Sequence, residues 1–210
     1  ISGVFEGIRC PEGWNQRRDA SDVFDAKADV LELLEMFDID INKVQVSAES
    51  APWYHPGRSF KIQLGPKNIL AMGGELHPKI LEQFDLKPGV LGFEVFYTAI
   101  PLAKNKKTTK PALFLSPYQA VERDFAFIVD DVCTAQSVIQ AINKVNPDLI
   151  ASVLLFDVFK GEGIPEGKKS LALTVRLEPK TATLVESEIV KVGEDIISSV
   201  QKLTGGVLRA

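Results

Sequence analysis

The segment LIASVLLFDVFKGEGIPEGKKSLALTVRLE, residues 149–178, decides the fold of the second half of the chain. Two runs rich in β-branched and large apolar side chains, residues 150–160 and 168–177, flank the stretch GEGIPEG. Such runs favour β-strands, and a stretch containing Gly and Pro between them is typical of a turn. The segment therefore predicts a long β-hairpin.

The second arm of this hairpin alternates strictly between two kinds of side chain. Every second position is large and apolar: Leu171, Leu173, Val175 and Leu177. The positions between them are small or polar: Ser170, Ala172, Thr174 and Arg176. Successive side chains of a strand point to opposite faces of the sheet, so one face belongs to a core and the other is open to a partner.

The composition is that of an ordinary globular protein, with 45% hydrophobic and 25% charged residues. The 210 residues allow one large domain or two smaller ones, and we favour two. No apolar run reaches the roughly 20 residues of a membrane helix and no signal peptide is recognisable, so we expect a cytoplasmic protein without membrane contact. The opening residues ISGVFEG resemble the middle of a strand and lack an initiator Met, which indicates a piece of a longer protein.

The charge and the cysteines exclude several kinds of function. The formal net charge of −4 argues against nucleic-acid binding by bulk electrostatics, so any RNA contact must be local. Cys10 and Cys133 are far apart and have no His pair beside them, so we expect reduced thiols and no metal site. His55 and His77 adjoin prolines and lack a third ligand, which predicts structural, hydrogen-bonded imidazoles.

The first half predicts an antiparallel sheet flanked by helices. A helix capped by Asp25 or Ser21 carries apolar residues at helical spacing, and a second, short helix covers residues 79–84. The predicted strands of this half are residues 1–9, 43–48, 59–64, 68–72 and 90–100.

The second half predicts the element order βαββαβ. A strand at 124–129 precedes a helix capped by Thr134, and after the hairpin come a helix at 186–203 and a strand at 207–209. Two split βαβ units with right-handed crossovers give a ferredoxin-like fold, with four antiparallel strands and both helices on one face. The fold class is therefore α+β, and the other sheet face is expected to be uncovered.

The segment between the two halves lacks periodicity and is rich in lysine. Lys104, Lys106, Lys107 and Lys110 lie among Asn and Thr, which suggests either a solvated connector or a loop that contacts phosphates. We expect a first domain at 1–104, a linker at 105–117 and a second domain at 118–210.

Four blocks of the second half resemble a known family. They are SPYQAVERDFAFIVDD, LLFDVFKGEGIPEGKKSLALTVRL, TLVESEI and the final GGVLR, and they resemble the ferredoxin-fold anticodon-binding domain of bacterial phenylalanyl-tRNA synthetase beta subunits. In the first half, DVFDAKADVLELLEMF, WYHPGRSFKI and GGELHPKILEQFDL look like the catalytic-like module of the same subunit, a class II synthetase fold without catalytic residues.

This resemblance implies a part of phenylalanine-tRNA ligase, an aminoacyl-tRNA synthetase. The complete enzyme would use ATP and Mg²⁺ in a heterotetramer of two alpha and two beta subunits, with catalysis in alpha and editing in other beta domains. The present chain would hold no catalytic residue, metal or cofactor, and would bind the anticodon region and scaffold the alpha subunit. Arg58 is the one candidate for a nucleotide contact. The alternative role for this residue is a salt bridge at a surface or subunit interface.

Reading an unstacked base takes an aromatic platform and a few hydrogen-bonding groups. Alternation places Phe156 and Val158 inward, and it places the expected RNA-binding residues on the uncovered face. These are Asp157, Phe159, Ser170, Ala172 and Arg176. The family commonly has Tyr at the position of Phe159 and Ser at that of Ser170, so the ring is kept here and the phenolic hydroxyl is lost.

Each of these residues also has a structural interpretation. Phe159 would be an edge-strand aromatic packed under the Gly-rich loop, and Asp157 would pair with Arg123 or Arg176. Ser170 and Ala172 would simply be solvent-facing strand residues. For the whole chain, the alternative function is a ferredoxin-like regulatory module that binds a small ligand or a protein across its open sheet.

Overall fold

The computed structural model describes residues 1–10, 13–14, 19–101 and 115–209. The chain divides into two units, Ile1–Thr108 and Thr109–Ala210. Most of the expected linker at 105–117, including its lysines, lies outside the described residues, as does Lys104.

The first unit is built on a five-stranded antiparallel sheet with the strand order β1-β5-β4-β3-β2. Its strands are β1 (Ser2–Phe5), β2 (Gln45–Ser47), β3 (Tyr54–Leu64), β4 (Asn68–Leu76) and β5 (Leu91–Val95). Helix α1 (Val23–Met36) and the short helix α2 (Pro78–Gln83) accompany it, with two 3-10 turns at Ile41–Lys43 and Tyr97–Ala99. The predicted sheet with flanking helices is confirmed, and β3 and β4 are longer than predicted.

Helix α1 begins at a capping box. The side chain of Asp22 accepts hydrogen bonds from the backbone of Phe24 and Asp25, and the Asp25 carboxylate accepts one from Asp22 N at 2.7 Å. The N-cap is therefore Asp22, and the prediction of Asp25 or Ser21 was wrong because Asp25 occupies the third helical position of the same motif. Ala26, Val30 and Leu34 are fully buried against the sheet.

The second unit has the predicted order of elements. These are β6 (Val121–Asp130), α3 (Ala135–Asn143), β7 (Ile150–Phe159), β8 (Lys168–Leu177), α4 (Glu186–Thr204) and β9 (Val207–Leu208). The strands form an antiparallel sheet in the order β7-β8-β6-β9. This arrangement confirms the ferredoxin-like fold.

The core of the second unit lies between the sheet and the two helices. The apolar alternation of β8 contributes four buried residues, which pack with Val138, Ile142, Ile196 and Val200 of the helices. Both helices therefore cover the same face of the sheet.

Edge strand β7 departs from the predicted alternation. Its register against β8 shifts between Leu155 and Asp157, so Phe156 is the extra residue of a β-bulge and is 55% exposed. Val158 lies opposite the buried Leu171, on the predicted face, but is 52% exposed. The expectation that Phe156 lies inward was therefore wrong, and Val158 has the expected orientation without the expected burial.

Helix α4 has a complete C-terminal stop and an incomplete N-cap. Gly205 adopts a left-handed conformation with φ of 69°, the usual C-terminal signal. At the other end Val185 has no side-chain acceptor, and only the Glu188 carboxylate contributes, accepting a hydrogen bond from Val185 N at 3.1 Å. The first turn of this helix therefore lacks the side-chain acceptor that an N-cap usually provides.

A leucine-to-alanine pair tests which face of this sheet is the core. Leu173→Ala should lower the free energy of unfolding by about 2–5 kcal/mol, because it leaves a cavity in a fully buried site. Leu154→Ala, on the neighbouring strand, is the matched control and should change it by less than about 1 kcal/mol, because Leu154 is 63% exposed. Urea unfolding followed by circular dichroism measures both, and equal losses would contradict the assigned faces.

The missing cap of α4 can be supplied by one substitution. Val185→Ser should raise the free energy of unfolding by about 0.5–1 kcal/mol, because a serine hydroxyl can accept a free N–H of the first turn. Val190→Ser, at an exposed position inside the helix, is the control and should give no gain. Thermal unfolding of the two variants beside the parent chain measures the difference, and an equal gain in both would refute the capping explanation.

Candidate nucleic-acid interface

The face of the second sheet that the helices leave uncovered, the outer face, is organised in rows across its strands. Directly opposed residues of antiparallel strands share a face, and the β8 ladder with β7 and β6 therefore defines the rows. From one end of the sheet to the other, the rows are Phe159–Ser170–Ile128, Asp157–Ala172–Ala126, Leu154–Thr174–Asp124 and Ser152–Arg176–Glu122. The register brings the five residues singled out from the sequence onto this one face.

Two small residues form the centre of the outer face. Ala172 lies between Asp157 and Ala126, so the second row has no large apolar side chain. In the adjacent row Ser170 is only 3% exposed, although its strand position points away from the helices. The interpretation of Ser170 as a solvent-facing residue is therefore wrong, and other side chains of the outer face must cover it.

Phe159 lies at the end of β7 and is 40% exposed. A Cβ atom at position 161 would lie 3.0 Å from Phe159 Cζ, so the tip of the ring packs directly against Gly161 of the β7–β8 loop. The Arg209 guanidinium carbon lies 5.8 Å from the ring centroid, within cation–π range. The ring is thus held at the sheet edge, as the structural interpretation expected, and still presents part of its surface to solvent.

Asp157 projects next to Ala172 and is exposed. Within the part of the chain that the structure describes, it forms no ion pair, since Arg123 pairs with Glu186 at 3.5 Å and Arg176 pairs with Glu122 and Glu178. The expected structural alternative for Asp157, a salt bridge with Arg123 or Arg176, is not what the structure has. The carboxylate oxygens of Asp157 are therefore accessible from solvent as hydrogen-bond acceptors.

Arg176 is a cation of the outer face, and two carboxylates compensate its charge. Its guanidinium donates hydrogen bonds to Glu178 at 3.0 Å and to Glu122 at 3.2 Å. The hydrogen bond and charge of Glu178, with a smaller contribution from Glu122, raise the pKa of Arg176 above its ordinary value. Arg176 and its two glutamates therefore carry no net positive charge to offer a phosphate.

The rim of the face shows the same compensation. Lys160 pairs with Asp131 at 2.7 Å and Lys168 with Asp130 at 2.8 Å. In the third row, Thr174 Oγ1 donates a hydrogen bond to Asp124 at 2.7 Å. Exposed pairs of this kind contribute little to stability, but they reduce the long-range field of the cations. These ion pairs therefore weaken the attraction of the outer face for a distant polyanion.

The first unit contains the other residues considered as candidates. Arg58 forms a two-pronged ion pair with Glu75 on the neighbouring strand, which raises the pKa of the guanidinium. The Nδ1 atoms of both histidines accept backbone hydrogen bonds, His55 from Gly57 at 3.0 Å and His77, the N-cap of α2, from Lys79 at 3.2 Å. The predicted hydrogen bonding of both imidazoles is confirmed, and their purely structural role stays a prediction.

The described residues hold neither a cluster of metal-ligating side chains nor a membrane-spanning helix. Residues 1–10, 13–14, 19–101 and 115–209 contain no group of three or more His, Cys, Asp or Glu side chains placed to hold a metal ion. No helix among them is long and apolar enough to cross a membrane.

Sequence reasoning overlooked one residue of the outer face, Arg209. Its motif GGVLR was part of the resemblance, but no role was expected for the arginine itself. The alternation after Gly206 carries the signal, since Val207 lies opposite Ile128 and Arg209, two positions later, points to the same face.

Comparison with known proteins agrees with this architecture. Residues 116–209 match the model of the ferredoxin-fold anticodon-binding domain, and residues 1–97 match that of the phenylalanyl-tRNA synthetase beta chain CLM domain. The second unit is thus an anticodon-binding domain by family.

Whole-chain relatives are phenylalanine–tRNA ligase beta subunits. The chain is 42% identical to that of Brucella abortus over 212 aligned residues, 42% identical to that of Rhodospirillum rubrum over 210, and 43% identical to that of Bartonella quintana over 212. These alignments cover 99–100% of this chain and 26% of each relative. The chain belongs to the phenylalanine–tRNA ligase beta-subunit family, and it spans about a quarter of the length of the relatives it matches.

Proposed function

We propose that the outer face of the second unit binds the anticodon region of phenylalanine tRNA, as part of a phenylalanine–tRNA ligase. The observation that carries this proposal is the row pattern, in which a partly exposed aromatic, Phe159, lies beside small residues and the Asp157 carboxylate, which forms no ion pair with the described residues. A single-stranded base needs an aromatic ring to stack on and hydrogen-bonding groups at its edge. The outer face offers both within two adjacent rows.

Each of the five residues then has a role. Phe159 stacks a base, the Asp157 carboxylate accepts hydrogen bonds from base N–H groups, and Ser170 supplies a hydroxyl. Ala172 leaves the space that the base occupies. Arg176 lies at the far row with its charge compensated, so it orients the strand by hydrogen bonding and contributes little attraction at long range.

The acidic balance of the second unit predicts weak binding by this unit alone. Acidic side chains outnumber basic ones in residues 111–210, and the lysines of the rim are paired with aspartates. Phosphate neutralisation contributes most of the affinity of nucleic-acid-binding proteins in general. We therefore infer that the rest of the enzyme provides most of the tRNA affinity, and that this face adds specificity.

The first unit is proposed to scaffold the alpha subunit and to be catalytically silent. Arg58, its one candidate for a phosphate contact, is paired with Glu75. Large apolar side chains on its surface are typical of a subunit interface: Val4, Phe24, Met36, Phe84 and Tyr97. ATP and Mg²⁺ would act at the alpha subunit, in a cytoplasmic heterotetramer of two alpha and two beta subunits.

Replacing the platform ring tests the anticodon proposal. In the complete enzyme, Phe159→Ala should raise the KM for phenylalanine tRNA about 5- to 50-fold, because one base loses its stacking partner. Phenylalanine activation, measured by ATP–pyrophosphate exchange, should be unchanged. Phe156→Ala is the matched control, since Phe156 is an exposed aromatic of the same strand that lies at the bulge.

Two results would contradict the proposal. One is an unchanged KM for tRNA in the Phe159 variant, and the other is an equal effect of the two phenylalanine substitutions.

Filling the centre of the outer face tests the space for a base. Ala172→Leu should weaken tRNA binding at least about tenfold, because a leucine side chain would occupy the volume beside Phe159 and Asp157. Ala151→Leu, at an exposed position near the other end of β7, is the control and should bind tRNA normally. Filter binding with radiolabelled tRNA measures both, and normal binding by the Ala172 variant would place the RNA elsewhere.

A further inference from the structure

Arg209 is fixed at the edge of the sheet opposite to Phe159. Its backbone N–H donates to the carbonyl of Ala126 at 2.7 Å, which extends the pairing of β9 with β6 by one residue. Leu208 lies opposite the core residue Phe127, so alternation turns Arg209 toward the outer face. In the strand order β7-β8-β6-β9, Phe159 and Arg209 belong to the two outermost strands.

These two side chains meet above the middle of the sheet. The outermost strands of a four-stranded sheet are separated by three spacings, about 14 Å in all. Yet the Arg209 guanidinium carbon lies 5.8 Å from the Phe159 ring centroid, so both side chains must extend inward across β6 and β8. They can do so because the positions beneath them are Ala126, Ala172 and Ser170, which have short side chains.

The burial of Ser170 is the second sign of this arrangement. Ser170 points to the face without helices, yet it is almost inaccessible to solvent. A side chain of its size on an open face would be exposed unless its neighbours cover it. Phe159 is its direct neighbour on β7, and Arg209 reaches the ring of Phe159.

We propose that Phe159 and Arg209 form a clasp that covers Ser170 in the free protein and opens when RNA binds, after which Arg209 contacts a phosphate of the bound strand. This inference rests on the proposed anticodon function. It adds an RNA-contacting residue, Arg209, and a conformational step that exposes Ser170.

Energetically, a base can replace the Arg209 guanidinium as the partner of the Phe159 ring. An exposed cation–π contact is weaker than the stacking of a base on an aromatic ring, so a base can displace the guanidinium from Phe159. The displaced guanidinium is exposed and, within the described ranges, makes no ion pair with a carboxylate, unlike Arg176. Its planar fork of donors matches phosphate oxygens, and it then lies at the rim of the base site.

The cover over Ser170 can be tested without RNA. In the complete enzyme carrying Ser170→Cys, the rate of alkylation at position 170 by iodoacetamide is followed by peptide mass spectrometry. Adding Arg209→Gln should raise that rate at least about fivefold, whereas adding Arg123→Gln should not, because Arg123 lies opposite Val175 on the helix-covered face. Equal rates in all three backgrounds would overturn the clasp.

The contact with phosphate is tested by the salt dependence of tRNA affinity. Arg209→Gln should weaken binding of fluorescein-labelled phenylalanine tRNA about 5- to 20-fold. It should also make the slope of log affinity against log KCl less steep, by about the contribution of one phosphate contact. Arg209→Lys should keep the slope, since it keeps the charge, and Arg123→Gln should leave both quantities unchanged.

The same measurements separate this inference from the proposed function. If Phe159→Ala weakens tRNA binding while both Arg209 variants behave as the parent enzyme, the role of Arg209 is refuted and the anticodon function stands. If neither Phe159 nor Arg209 affects tRNA binding, both proposals are refuted.

Discussion

The second unit depends on the two-sided alternation of strand β8. This strand pairs with β6 along its whole length and with β7 from Ser170 to Leu177, so its side chains determine what each face of the sheet can be. Four large apolar residues on one side hold both helices, and hydrophobic burial of such residues is the main stabilising contribution of the core. The short residues on the other side leave a surface on which larger side chains from the edges can lie. One period-two pattern thus supplies both the core and the candidate site.

The same arrangement of charged side chains occurs in the sheets of both units. Cations on the sheets are placed beside carboxylates on neighbouring strands, as in Arg58 with Glu75 and Arg176 with Glu122. Cross-strand pairs of opposite charge stabilise a ladder modestly, and they also cancel the field that would attract a polyanion from a distance. For the proposed RNA partner, such a surface offers close fit and stacking rather than long-range attraction. Arg209 differs from Arg176 because, among the described residues, an aromatic ring rather than a carboxylate contacts its guanidinium.

Much of the fold was predictable because its signals are local. Both arms of the hairpin, the Thr134 cap and the Gly205 stop are visible in short windows of sequence, and each occurs as expected. The bulge in β7 was not predictable, because residues 150–159 alternate well enough to suggest a regular strand and only pairing with β8 shows the extra residue. Phe156 was misassigned for this reason. The N-cap of α1 was missed because Asp22 and Asp25 both carry capping side chains, and only the backbone conformation distinguishes them.

The sequence by itself determined the α+β class, the order of elements, and the face on which Asp157, Phe159, Ala172 and Arg176 lie, since alternation along a strand requires no knowledge of distant contacts. Only the tertiary structure decided that Ser170 is covered, that Arg176 is neutralised by two glutamates, and that Arg209 reaches Phe159. The physical reason is that these features depend on strand order and register. They bring together side chains from opposite edges of the sheet, which no local pattern in the chain can relate.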